Sequence, residues 1–287
     1  ILLGSDNGGT VTPTDGSVTS DKLAYPFVVN EDGAAASDFR VESDSKTHML
    51  FVDAGNNAIC VGTDTHDTGP LVVQTGNSHA TAMTVQSTGT TQLMLKDTDA
   101  SSNDKYWGLQ ISGGDFNILT MDDDKASNFV TPLTIDQSGA MTKPLQPAFH
   151  VPGTTQNNID TGIATARFGG TERFDQNSDF NTSTYTFTAP VTGKYYLSVH
   201  VQLADLDNGH DYCRTHLVTS NHTYYLDILS PNKIFSADAP YVSFQNSLLV
   251  DMDANDTAYV QINLNSGSGS QADLTTTQSY FSGFLAC

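Results

Sequence analysis

The chain has 287 residues, enough for roughly one to three domains, and its 38% hydrophobic content can build at least one core without metal or disulfide staples. Twelve Lys and Arg face 32 Asp and Glu, and the net charge of −20 repels polyphosphates and anionic bilayers, which excludes nucleic acid as a partner. No apolar run approaches the roughly 20 residues that cross a bilayer as a helix, so membrane insertion is excluded in the same way.

Because residue 1 is Ile, the numbered sequence reads as starting at a processing site or inside a longer polypeptide, and residues 1–29 read as an N-terminal attachment or linker segment. Residues 1–147 hold eight Phe, Tyr or Trp and residues 148–287 hold eighteen, so only the second half has the aromatic mass for a conventional core. In the first half the apolar residues come in short alternating runs such as Phe39-Arg40-Val41 and Met49-Leu50-Phe51-Val52, closed by Asp, Asn or Gly. That pattern predicts strands and turns with little helix. Part of it repeats: Phe39, Val41, Ser43, Met49, Phe51 and Asp53 align at an offset of 44 with Met83, Val85, Ser87, Leu93, Leu95 and Asp97. The turn of this unit returns at Leu133-Thr134-Ile135-Asp136-Gln137-Ser138-Gly139. A unit with so little apolar surface is stabilised by stacking on its neighbours or by winding with identical chains. Pro144 and Pro147 interrupt strand pairing and place a boundary near residue 147.

The wording of this half resembles bacteriophage tail-fibre shafts. The resemblance is carried by Asp38-Phe39-Arg40-Val41-Glu42-Ser43-Asp44, Met49 to Asn57, Val61-Gly62-Thr63, Leu93 to Ala100, Tyr106-Trp107-Gly108-Leu109 and Leu133 to Asp136. It implies a repetitive, three-chain β shaft over residues 30–147.

In the second half, Tyr195, Leu197, Val199, Val201 and Leu203 alternate with Tyr196, Ser198, His200 and Gln202, the period-two signature of a half-buried strand. Ala258, Val260, Ile262 and Leu264 alternate likewise, and Pro190-Val191-Thr192-Gly193 supplies the turn before the first of these strands. Eight to ten such strands in 148–287 make a domain of jelly-roll size. Asp175, Phe180, Phe187, Gly193, Tyr195, Leu197 and Val199 keep the spacing of the jelly-roll heads of complement component 1q and tumour necrosis factor, which this half resembles. It departs from that pattern at Leu197 and Val199, where aromatics are usual, and at Phe168, one residue early. Tyr280-Phe281-Ser282-Gly283-Phe284-Leu285 resembles the family's closing strand. Heads of this family are trimers with the closing strands near the axis, which makes Tyr195, Leu197, Val199, Phe281 and Phe284 candidates for the trimer core.

No Gly-x-Ser-x-Gly, His-Glu-x-x-His, Gly-x-x-x-x-Gly-Lys or Gly-x-Gly-x-x-Gly motif occurs, and 147 sparse residues are too few for the long β-helix on which glycan-cleaving spikes carry paired carboxylates. The chain therefore reads as a binding protein without catalytic residues and without a required cofactor. Two acidic turns offer oxygen ligands at alternate positions for calcium: Asp205, Asp207 and Asp211, and Asp251, Asp253 and Asp256. Solvated turns are the competing reading. Tyr224, Tyr225 and Tyr241, with Asn221, His222 and Asn232, are candidates for receptor contact, because an aromatic face packs on a pyranose while amides bond its hydroxyls. Packing in a core or interface is the alternative for each Tyr. His200, His210, His216 and His222 lie close in sequence, and Cys60, Cys213 and Cys287 read as buried thiols outside any zinc module.

The expected architecture is all-β, a fibre shaft followed by a jelly-roll knob over 148–287. The expected role is a virion appendage, tail or capsid, outside the cell. Its homotrimeric knob would bind a host-surface glycan or protein, and its N-terminal end would join other virion proteins. A decoration protein that recognises nothing and a secreted lectin-like protein are the rival readings.

Overall fold

The computed structural model of the chain describes residues 39–41, 48–53, 58–61, 63, 71–73, 83–265, 267 and 271–287. The segment read as an attachment region, 1–29, lies outside them, as do Asp38, Ser43 and the turn 54–57. Two compact units divide the chain, Ile1–Gln86 and Ser87–Cys287.

In the first unit, β1 (Phe39–Val41), β2 (Leu50–Asp53) and β3 (Ala58–Val61) pair antiparallel, and β4 (Leu71–Val73) joins β3 in parallel. Strand alternation turns Phe51, Ala58 and Cys60 into a small buried cluster, with His48 edge-on to the Phe51 ring at 5.0 Å.

The second unit opens with an antiparallel meander of β5 (Thr91–Lys96), β6 (Tyr106–Ser112), β7 (Asp115–Met121), β8 (Val130–Ile135) and β9 (Met141–Thr142). Its register sorts the side chains by chemistry. Leu93, Leu109, Ile118 and Leu133 form one row, Ile111, Phe116, Ile135 and Met141 a second, and Leu95 pairs with Trp107, all on one face. The opposite face carries the row Gln92, Gln110, Asn117, Thr134, with Thr134 Oγ1 donating to Asn117 Oδ1 at 2.8 Å, and the buried Leu119 and Met121. The turn anticipated at Asp136–Gly139 links β8 to β9, where the Asp136 carboxylate accepts from Ser138 Oγ and Ala140 N.

The 44-residue repeat does not carry over into equivalent structure. Residues 83–87 form no strand where the first copy has β1, and Phe51 is buried while its repeat partner Leu95 is 55% exposed. Equal apolar spacing leaves pairing open: β2 has a partner on each side, whereas β5 is the edge of the meander.

The rest of the unit is a jelly roll of two packed sheets. Its elements in order are β10 (Ala148–Pro152), β11 (Gln156–Asp160), β12 (Gly162–Thr165), β13 (Phe174–Asp175), β14 (Phe180–Asn181), β15 (Thr186–Thr188) and β16 (Gly193–Leu206). There follow β17 (Cys213–Thr219), β18 (Thr223–Leu229), the short helix α1 (Pro231–Ile234), β19 (Ala239–Met252), β20 (Thr257–Leu264), β21 (Gln271–Leu274) and β22 (Tyr280–Leu285). Sheet I runs β11-β21-β16-β22-β10-β13, with β19 along the other edge of β16. Sheet II runs β14-β15-β20-β17-β18, with β12 beside β20. Both alternations anticipated from the sequence hold: Tyr195, Leu197, Val199, Val201 and Leu203 point into the core from β16, as do Ala258, Val260, Ile262 and Leu264 from β20.

The family-spaced residues have separate physical tasks. The Asp175 carboxylate accepts from the backbone N–H groups of Asp179 and Phe180 at 3.1 and 3.0 Å, which fixes the turn into β14. Phe149 stacks on Phe180 and Phe187 and meets Phe281 edge-on at 5.1 Å, so four strands share one aromatic knot. The Tyr195 hydroxyl donates to Val191 O at 2.7 Å and ties β16 to its preceding turn, as a tyrosine corner does. Gly193 is required because a Cβ there would come within 2.7 Å of Cys287 O, and one at Gly283 would overlap the Leu197 side chain.

Candidate functional site

Strand parity decides which side chains sheet I shows to solvent. Adjacent rows on its outer surface are Leu249, Tyr196 and Phe284; then Ser247, Ser198, Ser282 and His150; then Gln245, His200 and Tyr280. Leu249 is 61% exposed and Phe284 48%. His150 stacks on Tyr280 at 5.0 Å, His200 lies 5.4 Å from the same ring and is hydrogen-bonded to Gln278 O, and the Tyr196 hydroxyl donates to Ser247 Oγ at 2.8 Å. These three rows contain no carboxylate, Lys or Arg, although the chain carries 32 acidic residues. Charge first appears beyond them, where Lys194 pairs with Asp251 at 2.6 Å. An apolar centre depleted of charge is the composition of an interface core.

The residues anticipated for the trimer core are mostly elsewhere. Tyr195, Leu197, Val199 and Phe281 are fully buried inside one chain, between sheets I and II, so they cannot reach a symmetry axis. Of that set only Phe284 faces outward. The correction follows from alternation: the neighbours Tyr196 and Ser282 occupy the surface that Tyr195 and Phe281 leave. Tyr196 was legible as outward from its parity, and Leu249 was missed in the apolar run Leu248-Leu249-Val250, which shows no clear alternation.

The outer surface of sheet II holds a different group. Tyr225 is 67% exposed, the Arg214 guanidinium lies 5.0 Å from the ring centroids of both Tyr225 and Tyr212, and His216 meets Tyr225 edge-on at 4.8 Å. His216 is itself buried, and its Nε2 has no hydrogen-bond partner. Burial pushes its pKa below the ordinary histidine value and the Arg214 charge pushes the same way, against an opposing hydrogen bond that the ring donates to Gln261. Arg214 carried no sequence signal, because its role depends on cross-strand pairing with β18.

The other receptor candidates do not converge on Tyr225. Tyr224 packs against the core with His222 edge-on to it at 4.7 Å. Asn221 sits in the β17–β18 turn and donates to Asp256 Oδ2 at 2.5 Å, whereas Asn232 lies in α1 past the far end of that hairpin and donates to Asp211 Oδ1 at 2.8 Å. Tyr241 is on β19, in the outward register of sheet I.

The two acidic turns stay apart as ligand sets. Asp205 is exposed at φ 47°, Asp207 accepts from Gln271 N, and Asp211 holds Asn232. Asp251 pairs with Lys194, while Asp256 accepts from Asp253 N as a turn cap. Among the described residues no group of three or more His, Cys, Asp or Glu could hold a metal ion. His210 is buried against Asn265 O and Gln271 O, so the four histidines do not meet either. Cys60 and Cys213 are buried, and burial raises the Cys213 thiol to about 12; Cys287, anticipated as buried, is exposed at the C-terminal end of the closing strand.

A cleft of about 440 Å³ lies where β8 meets the connector to the jelly roll, walled by Pro132, Leu145, Pro147, Val191 and Leu285 with Lys143 at its edge. The connector is fastened to the jelly roll: Gln176 Nε2 donates to Lys143 O and Gln146 O, Asn177 Nδ2 to Leu145 O, and Gln146 Nε2 to Leu285 O.

Residues 148–286 match the family model described as the C1q domain. No curated protein matches the chain. Among solved structures, the globular domain of the zebrafish complement 1qA protein is 18% identical over 50% of this chain and 98% of its own, with a TM-score of 0.36. Murine APRIL is 13% identical over 49% and 98%, with a TM-score of 0.36, and the Eiger TNF from S. frugiperda is 15% identical over 50% and 93%, with a TM-score of 0.37. Residues 148–286 thus form a C1q-like jelly-roll domain, a kind of domain that is typically a non-enzymatic extracellular binding module and often trimeric. Among the described residues no helix is long and apolar enough to cross a membrane.

Proposed function

We propose that the chain is the subunit of a homotrimeric viral fibre whose C1q-like head binds a host-surface glycan or protein. Three adjacent rows without Lys, Arg or carboxylate on the outer surface of sheet I, bordered by the Lys194–Asp251 pair, carry the assembly part of this reading. Subunits of net charge −20 repel one another, and they can pack closely only through surfaces that hold none of that charge. Packing three copies of sheet I around an axis covers Leu249, Tyr196 and Phe284 and leaves sheet II outermost. There Tyr225 and Arg214 offer an apolar ring and five donors, a pair suited to a saccharide or to a protein side chain. Three such sites on one particle raise avidity, so each can be weak. The fibre context is supported by the shaft-like wording of residues 30–147, and residues 1–29 would join the remainder of the virion.

Two measurements on the full-length chain test this. Sedimentation at micromolar concentration should give three times the mass of one chain, and a persistent monomer overturns the assembly. The trimer should bind a permissive host and block virus adsorption, with Tyr225→Ala and Arg214→Ala each weakening binding about tenfold, the effect of one modest hot spot. A trimer that binds no permissive cell and blocks no adsorption would instead be a decoration protein.

A further inference from the structure

Among the described residues, one face of the meander β5–β9 leaves large apolar side chains exposed. Leu95, Trp107, Ile111 and Met141 are all exposed on it, and Trp107, at 48% exposure, is the chain's only tryptophan. No charged residue falls on this face: Lys96 and Asp115 belong to the opposite register, with Lys96 over the Tyr106 ring. An apolar sheet face bordered by polar loops is an interaction surface, since lone meanders otherwise alternate apolar-in with polar-out.

We propose that this face packs against the same face of the other copies of the chain, extending the head interface along the assembly axis. The proposal rests on the trimer inferred above. Three observations select a second copy over an unrelated partner. The face shares its freedom from charge with the three central rows on the outer surface of sheet I, a property that lets copies of a −20 chain approach closely. Both surfaces belong to one compact unit, Ser87–Cys287, and four side-chain hydrogen bonds fasten the connector between them to the jelly roll. The third is area: four strands about 4.8 Å apart and about 22 Å long, with the two-residue β9 beside them, present roughly 450 Å². A free-standing specific interface needs roughly 800 Å² per partner, so this face alone is too small to recruit a foreign protein. Copies already gathered by their heads meet at an effective concentration in the range of about 1 mM, at which a small apolar contact suffices.

Trp107 reports the contact directly. Full-length chain is diluted from micromolar to nanomolar while its mass, its emission maximum and its quenching by acrylamide are followed. The assembled protein should emit at shorter wavelength and quench several-fold less than the dissociated chain. Leu95→Glu/Ile111→Glu should expose Trp107 and weaken assembly at least tenfold. The uncharged pair Leu95→Gln/Ile111→Gln should act in the same direction, with circular dichroism showing that the fold survives. Leu249→Glu/Phe284→Glu removes the head contact and should also expose Trp107. A trimer in which Trp107 quenches as freely as in the monomer overturns this contact and leaves the head interface standing. Trp107 equally shielded in the monomer overturns it too, because the cover is then intrachain. A chain that never assembles ends both readings.

Discussion

Phe281 and Phe284 lie three residues apart on β22, one in the core and one on the outer surface of sheet I, and truncating each to Ala should separate folding from assembly. Phe281 is fully buried, with ring centroids 5.1 Å from Phe149, 5.9 Å from Phe168 and 6.0 Å from Phe180. Removing a buried Phe costs about 3–5 kcal/mol in transfer and cavity terms, and three aromatic neighbours place this one at the upper end. At about 2–4 °C per kcal/mol for a domain of this size, Phe281→Ala should lower Tm by about 10–20 °C. Phe284 keeps 48% of its surface exposed in the isolated chain. Its truncation loses only about half of the roughly 1.5–3 kcal/mol that full burial of a Phe is worth, so the monomer fold should lose about 1 kcal/mol. The assay is thermal unfolding by near-ultraviolet circular dichroism at several protein concentrations, since association itself raises Tm, with sedimentation to read mass. Phe281→Ala should melt early at every concentration, and Phe284→Ala should fold but dissociate more readily. A Phe281→Ala protein that melts normally and falls apart into monomers would refute the partition between core and interface.

Placing a Cβ at position 283 forces it onto Leu197, Phe149 and Tyr196 O, so Gly283→Ala should destabilise the head by about 1–3 kcal/mol, measured as a lower urea midpoint at unchanged slope. His150 and His216 both have pKa values lowered in the folded state, chiefly by burial. The unfolded chain therefore binds more protons, and stability should be full above the ordinary histidine value of 6.5, decline as pH falls from there towards the lower folded values, and level off below them. Urea midpoints from pH 8 to 5 check this, and His150→Gln/His216→Gln should flatten the decline; a steeper one refutes the assignment. Native protein should label rapidly with a thiol reagent at exposed Cys287 and not at Cys213, whose thiol is held near 12, until denaturant is added.

The alternations Tyr195–Leu203 and Ala258–Leu264 were sufficient to predict half-buried strands, and with the family spacing from Asp175 to Val199 they implied the jelly roll, because period-two burial is written into consecutive residues. Side-chain roles that depend on distant strands were not legible. Tyr225 and Tyr241 looked like members of one aromatic patch, yet they sit on different sheets. Arg214 gave no sign of standing between Tyr212 and Tyr225. The repeat of Phe39–Asp53 at Met83–Asp97 is real as wording, but its copies pair differently, since spacing sets which residues share a face and not which strand lies beside them. Inward and outward parity along β16 and β20 was therefore the sequence's own determination, whereas the opposite orientations of Phe281 and Phe284 on β22 were not. Whether an apolar residue such as Tyr195 or Phe281 faces the second sheet of its own chain or another copy was decided only by the tertiary structure. A core and a subunit interface are equally dry, and the local pattern that each demands is the same.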